Sequence, residues 1–170
     1  MTVRHTRVGT GIGELTLVAA GDALTGIYFP GHWHPPVPGT TGEYVDAAGD
    51  ALFTETVTQL EDYLAGRRTG FDLPTATRGD AFSERVWALL RAIPYGETTS
   101  YGELAGQLGD PKLARMVGRA VGHNPLSIVV PCHRVLGKDG RLTGYAGGLE
   151  RKQRLLELEQ PVPAAAGRLI

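Results

Sequence analysis

"SYGELAGQLGDPKLARMVGRAVGHNP", residues 100–125, decides how the second half of this chain folds. Ser100 precedes Glu103 by three positions, the spacing of a capping box. There a hydroxyl accepts from an early helix amide while the carboxylate reaches back to the cap. The break comes at Gly109-Asp110-Pro111, and a second helix is expected over 112–122, ending before Asn124-Pro125. Two short helices around a glycine-containing turn fit a helix-turn-helix. They fit other helical hairpins equally well, so the use of the pair stays open at this point.

Downstream, "LSIVV" at 126–130 reads as a short buried β-like run that delivers Pro131-Cys132-His133. A glycine-rich loop follows at 137–150. The closing helix over 149–159 should turn Leu149, Leu155, Leu156 and Leu158 inward, and a frayed tail covers 164–170. Upstream, "AFSERVWALLRAI" at 81–93 carries Phe82, Val86, Leu89, Leu90 and Ile93 at helical spacing, and Pro94 ends it. The irregular connector at 67–80 holds the expected boundary between an N-terminal domain, 1–78, and a C-terminal one, 79–163.

The first half opens with strand-like alternation. "GELTLVAAG" at 13–21 and "ALTGIYF" at 23–29 flank a Gly21-Asp22 turn. Residues 30–50 contain four prolines and no periodicity, so a mobile loop is expected there. His32 and His34 lie in it without a nearby carboxylate or thiol and read as solvated loop residues, not metal ligands. A helix over 51–66 places Leu52, Phe53, Val57, Leu60 and Leu64 at helical spacing and stops at Gly66.

Composition sets outer limits. The chain has 170 residues, a net charge of −1 and one cysteine. It lacks the roughly 18–20 consecutive apolar residues of a membrane span. The N-terminus has no continuous apolar signal region, so the protein is expected to be cytoplasmic. One cysteine gives neither an internal disulfide nor a thiolate zinc cluster. Residues 1–79 hold five Arg and nine Asp/Glu; residues 80–160 hold eleven Lys/Arg and nine Asp/Glu. An anionic partner therefore belongs on the second half.

Cys132 is where chemistry concentrates. The thiolate is the nucleophile, and a free thiol is only a few per cent ionised at neutral pH, so a base or a shaped slot must activate it. His133 is adjacent. Neighbours on a strand face opposite ways, so the pair can cooperate only if Cys132 sits at a turn or helix start, which Pro131 favours by fixing φ. A histidine base also needs a third group to hold its tautomer, and Glu159 is one candidate among several carboxylates. A buried, inert cysteine beside an unrelated histidine is the alternative.

The run "NPLSIVVPCHRVLGKDGRLTGYAGGLERKQRLLELE" at 124–159 resembles the active-site region of the O6-alkylguanine-DNA alkyltransferases, the methylated-DNA–protein-cysteine methyltransferases. "PCHRV" carries the likeness, with "IPYGETTSYGELA" at 93–105 and "PKLARMVGRAVGHNP" at 111–125 in the same order. The resemblance is strong over about residues 80–160. It implies an α+β fold: a ribonuclease H-like α/β domain packed on a helical domain with a winged-helix-type helix-turn-helix. It implies that Cys132 takes the alkyl group of O6-alkylguanine, with O4-alkylthymine as a further substrate, irreversibly and once. His133 would act through water, with Glu159 polarising it, and Asn124 would brace the turn. Pro131, Tyr145 and Ala146 would line the alkyl pocket. Tyr101, Ser83, Arg115, Gly118, Arg119 and Ala120 would face DNA, with Arg115 filling the stack left by a flipped base. The implied partner is double-stranded DNA bound through the minor groove by a monomer, with cooperativity open; no cofactor or metal is implied.

The small residues Gly118, Ala120 and Gly122 suit close groove approach, although each Gly costs about 1 kcal/mol of helix propensity relative to Ala. Met116, Arg119 and Ala146 depart from the pattern. The competing readings are a non-repairing alkylated-DNA binder, which would lack the cysteine, a Cys-His hydrolase, and a DNA-binding regulator with an inert thiol.

Overall fold

The computed structural model describes residues 2–160; the tail expected at 164–170 lies outside the described residues. The N-terminal alternation divides at Gly11-Ile12 into β1 (Val3–Thr10) and β2 (Gly13–Ala20), and β3 (Ala23–Tyr28) follows the Gly21-Asp22 turn. These strands form an antiparallel meander. A fourth, β4 (Glu43–Tyr44), pairs parallel to β1, giving the order β3-β2-β1-β4. Helix α1 (Ala51–Leu64) starts at Asp50, whose carboxylate accepts from the Phe53 amide at 3.1 Å and pairs with Arg4 of β1, tying helix to sheet.

Two expectations for this half need correction. The buried face of α1 is Phe53, Thr56, Gln59, Leu60 and Tyr63, while Leu52, Val57 and Leu64 lie at its margin. Polar side chains can be buried there because they are bonded. Thr56 donates to the Leu52 carbonyl at 2.8 Å, and Gln59 both donates to and accepts from the backbone of Asp72. Residues 30–50 are not a featureless loop either: they hold β4 and a 3-10 turn at Ala47–Gly49, and the Trp33 amide donates to the Ala146 carbonyl at 3.1 Å.

The second half supplies α2 (Ala81–Arg91), α3 (Tyr101–Gln107) and α4 (Ala114–Gly122). Ser100 caps α3 by accepting from the Glu103 amide at 3.1 Å, but the Glu103 carboxylate takes the Thr99 hydroxyl, so only half of the capping box forms. Gly109, at φ +105, makes the turn before Asp110 caps the 3-10 segment Pro111–Leu113. The Trp87 indole in α2 donates to the Ala120 carbonyl of α4 at 2.8 Å. Strands β5 (Thr99–Ser100) and β6 (Val135–Leu136) pair in parallel, and α5 (Leu149–Glu159) closes the fold. Leu149 is exposed, contrary to expectation; α5 buries Lys152, Leu155 and Glu159.

The "LSIVV" run is not a strand. Leu126 makes one parallel bridge to Ile27 of β3, and the chain then turns. The Ile27 amide donates to the Pro125 carbonyl at 2.8 Å, so the edge of the N-terminal sheet seats the segment leading to Cys132. Ile27 and Leu126 are fully buried at this joint, and burying such a side chain is worth about 1.5–3 kcal/mol. Arg151 and Arg154 of α5 donate to the carbonyls of Ile12 and Gly11. Among the described residues, no helix is long and apolar enough to cross a membrane.

Candidate active site

The turn before the cysteine is held by one side chain. Asn124, 2% exposed, accepts from the Leu126 amide at 3.0 Å and donates to the Val130 carbonyl at 2.8 Å, clasping the loop at both ends. Inside that loop Ile128 has φ +75, a left-handed conformation costing a β-branched residue on the order of 1–3 kcal/mol. The clasp and the burial of Leu126, Ile128 and Val130 hold it there.

Pro131 ends the turn, and Cys132–Arg134 forms a single 3-10 turn. Cys132 is therefore the first residue of a one-turn helix and not part of a strand. The thiol is 4% exposed. Burial pushes its pKa up, opposed by the Asn124 side chain and the positive charge of Lys152. In the free protein it rests as a thiol.

His133 is fully buried, with Nε2 at 2.8 Å from Glu159 Oε2. Burial lowers its pKa, though the Glu159 hydrogen bond and charge oppose that, so the ring is neutral at neutral pH. Burial disfavours the Glu159 carboxylate, but hydrogen bonds from His133, Arg134 and Tyr63 hold its pKa at about 2. An ionised carboxylate only accepts. Nε2 must then carry the ring hydrogen, leaving Nδ1 as the bare basic nitrogen, and Nδ1 meets no protein polar group among the described residues.

Glu159 is also the hub of a larger network. Arg134 grips it through Nε to Oε1 at 2.7 Å and Nη2 to Oε2 at 2.9 Å, and also donates to the Ile93 carbonyl. Tyr63, from α1 of the other half, donates its hydroxyl to Oε2. Lys152 is fully buried and donates to the carbonyls of Val135, Thr143 and Gly144, fixing the loop beyond the cysteine; burial lowers its pKa to about 8.

Tyr63, Arg134 and Lys152 were not among the candidates drawn from the sequence. Arg134 stood inside the quoted pentapeptide. Lys152 carried a signal too: with Leu155 and Glu159 it shares one face of α5, and a charge on an apolar stripe needs partners. Tyr63 carried none beyond its helical register with Leu60.

Tyr145 and Ala146 are buried beside the cysteine loop, and Tyr145 packs edge-on against Phe29 at 5.8 Å. Tyr101 is half-buried at the start of α3. A Cβ on Gly118 would meet its ring at 3.8 Å, so Gly118 faces Tyr101. Arg115, Met116 and Arg119 are exposed on α4. Ala120 is a correction: it is 4% exposed, and its carbonyl serves Trp87, so it packs in the core and cannot face DNA. Ser83 and Arg119 line a separate cavity of about 1340 Å³ between the β2–β3 turn and helices α2 and α4, which does not include Cys132. His32 is a second correction, for it is 6% exposed and accepts from the Phe29 amide at 3.3 Å. His34 is exposed, with its ring stacked on His123 at 3.7 Å. Among the described residues no three His, Cys, Asp or Glu side chains are grouped to hold a metal.

Comparison with known proteins gives consistent results for both halves. Residues 3–77 match the family described as 6-O-methylguanine DNA methyltransferase, ribonuclease-like domain, and residues 81–161 match its DNA binding domain. A methylated-DNA–protein-cysteine methyltransferase of Mycobacterium tuberculosis (strain ATCC 25618 / H37Rv) is 46% identical over 166 residues, covering 93% of each chain. One from Haemophilus influenzae (strain ATCC 51907 / DSM 11121 / KW20 / Rd) is 41% identical over 150 residues, covering 88% of this chain and 82% of the relative. The crystal structure of Mycobacterium tuberculosis OGT in complex with DNA superposes with a TM-score of 0.84 at 46% identity, over 92% of each chain.

Proposed function

From the premise that the chain belongs to the 6-O-methylguanine DNA methyltransferase family, we propose that it repairs DNA by moving the alkyl group of O6-alkylguanine onto Cys132, once per molecule. O4-alkylthymine is the second base this reading admits. The supporting observation is the polarity of the His133 ring: Nε2 is bound to an ionised Glu159, and Nδ1 is left basic in the residue that follows the buried Cys132.

In this reading His133 Nδ1 takes the thiol proton through a water, and Lys152 stabilises the resulting thiolate. Sγ attacks the alkyl carbon, the new S–C bond forms as the C–O6 bond breaks, and the electron pair remains on guanine. The guanine anion regains a proton from the Tyr101 hydroxyl, which His133 restores, so protons balance. The thioether offers water no carbonyl to attack, and the protein is consumed.

The target base must leave the duplex, at a cost of a few kcal/mol. Arg115, exposed on α4, is the side chain assigned to the vacated stack, with Arg119 beside it on the phosphates. Gly118 lets Tyr101 pack closely against α4, and Asn124 keeps the cysteine turn in place. Ser83, at the first turn of α2, is assigned a backbone contact, and Pro131, Tyr145 and Ala146 wall the alkyl pocket. The protein acts as a monomer in the cytoplasm, with residues 1–78 and 79–163 as its two domains.

The test is incubation with a duplex carrying a single O6-methylguanine, followed by intact mass and peptide mapping. One methyl group should appear on the Cys132 peptide, and none on Cys132→Ser. Repaired guanine in molar excess over protein would overturn the single-use mechanism.

A further inference from the structure

One large aromatic side chain beside the site has no part in the chemistry described above. Trp33 comes from the segment after β3, in the N-terminal half, and is 58% exposed. Its backbone is pinned on both sides. The Trp33 amide donates to the Ala146 carbonyl at 3.1 Å. Before it, buried His32 stacks on Phe29 with ring centroids 6.2 Å apart and interplanar angle 9°; after it, His34 stacks on His123. Phe29 itself lies so close to Gly147 that a Cβ there would come within 2.4 Å of its ring. The indole is thus held in place while much of its surface stays in solvent.

Its direction matters. A Cβ on Gly144 would lie 3.8 Å from Trp33 Cη2 and Cζ3, and 3.8 Å from the Tyr101 hydroxyl. Indole, phenol and a side-chain-free backbone therefore converge on one point at Gly144, the residue before Tyr145. Burial raises the Tyr101 pKa, a hydrogen bond with Thr143 opposes that, and negative charge on Cys132 would raise it further. An indole can bury 150–250 Å², and an anchored one left exposed here loses that gain unless a ligand covers it.

We propose that Trp33 is a specificity-determining residue: its indole is the wall that the N-terminal half contributes to the pocket for the extruded purine, and it stacks on that base. The proposal rests on the alkyl-transfer reading. Stacking needs a flat ring and is indifferent to duplex structure, so Trp33 recognises the base after extrusion and does not drive extrusion.

The experiment measures single-turnover transfer at limiting substrate from O6-methylguanine in a duplex and in a single-stranded oligonucleotide. Wild type, Trp33→Ala and Trp33→Phe are compared, together with affinity for undamaged duplex. Trp33→Ala should lower transfer roughly 5- to 150-fold on both substrates, the factor that base–aromatic stacking represents. Trp33→Phe should recover most of the loss, with undamaged-duplex affinity unchanged. Trp33→Ala rates equal to wild type would overturn the proposal, as would a loss confined to duplex and matched by weaker binding of undamaged DNA. If wild type itself transfers nothing, the alkyl-transfer reading fails instead. The Trp33 contact is then decided in Cys132→Ser by whether O6-methylguanosine quenches the fluorescence that Trp33→Phe removes; no such quenching overturns it.

Discussion

Glu159→Gln tests whether the hub built on this carboxylate holds the two halves together. The substitution keeps size and removes charge, leaving Arg134, 7% exposed, without its bidentate partner and Tyr63 without its strongest acceptor. Breaking a buried pair from one side costs about 3–5 kcal/mol. The pH dependence gives a second magnitude. The pKa of Glu159 is about 2 in the fold against 4.5 as its ordinary value. At 1.36 kcal/mol per pH unit, that gap corresponds to about 3 kcal/mol. Because the folded value is depressed, this stability is fully present above 4.5 and lost as pH falls toward 2.

Denaturant unfolding followed by tryptophan fluorescence, from neutral to acid pH, measures both quantities. The wild-type advantage over Glu159→Gln should be present at neutral pH and should close only as the carboxylate protonates below 4.5. Other carboxylates depressed by partners, such as Asp50 beside Arg4, titrate in both proteins and cancel in the difference. His133 does not cancel: without Glu159 its burial lowers its pKa further, so Glu159→Gln loses more stability than wild type as the pH first falls below neutral, and the gap widens before protonation of Glu159 closes it. A gap unchanged across the whole range, or a neutral-pH loss no larger than that of a surface substitution, would refute the hub.

His133→Ala should slow alkyl transfer by roughly 100- to 10,000-fold, as expected for a positioned base, while duplex affinity measured by fluorescence anisotropy stays near wild type. Arg115→Ala should slow repair in duplex and matter much less in a single strand, because only the duplex charges for extrusion. Arg119→Ala should instead weaken binding to any sequence and reduce the salt slope by about one. Lys152→Met leaves the carbonyls of Val135, Thr143 and Gly144 without their donor, at about 1–3 kcal/mol for each left unsatisfied, so deuterium uptake should rise across residues 135–144.

The elements defined by local chemistry were legible in the sequence. The Gly109-Asp110-Pro111 break, the cap at Ser100 and the turn at Gly21-Asp22 all depend on residues within a few positions of one another. "LSIVV" was misread because an apolar run shows burial but not conformation; the positive φ of Ile128 is imposed by Asn124 and by docking on β3. The face of α1 was rotated because Thr56 and Gln59 look exposed until their backbone partners are known. His32 and Leu149 failed for the same reason, each read by residue type when a distant contact decides its burial. At the site, Cys132 and His133 stand next to each other in the sequence, whereas Glu159 was one carboxylate among several until the family resemblance singled it out. Tyr63 was missed because its bond to Glu159 crosses from one half of the chain to the other.

On the proposed single-use reading, that crossing bears on how the thiol is kept for its target. A cysteine exposed and ionised at rest would react with any electrophile or oxidant it met, and one such event would end the protein's use. Cys132 is instead covered, and its burial favours the neutral thiol. The groups that favour the thiolate, Lys152 and Asn124, are each committed to backbone carbonyls, and His133 is neutral with Nδ1 unpartnered by protein. Ionisation therefore needs a proton to leave along one path while charge is taken up nearby, a coincidence that, on the proposed reading, an extruded base in the pocket supplies and bulk solvent does not. The N-terminal half sets this condition from outside the chemistry. Tyr63 fixes Glu159 and through it the tautomer of His133, while Phe29 and Trp33 lie against Gly147 and Gly144 on either side of Tyr145 and Ala146.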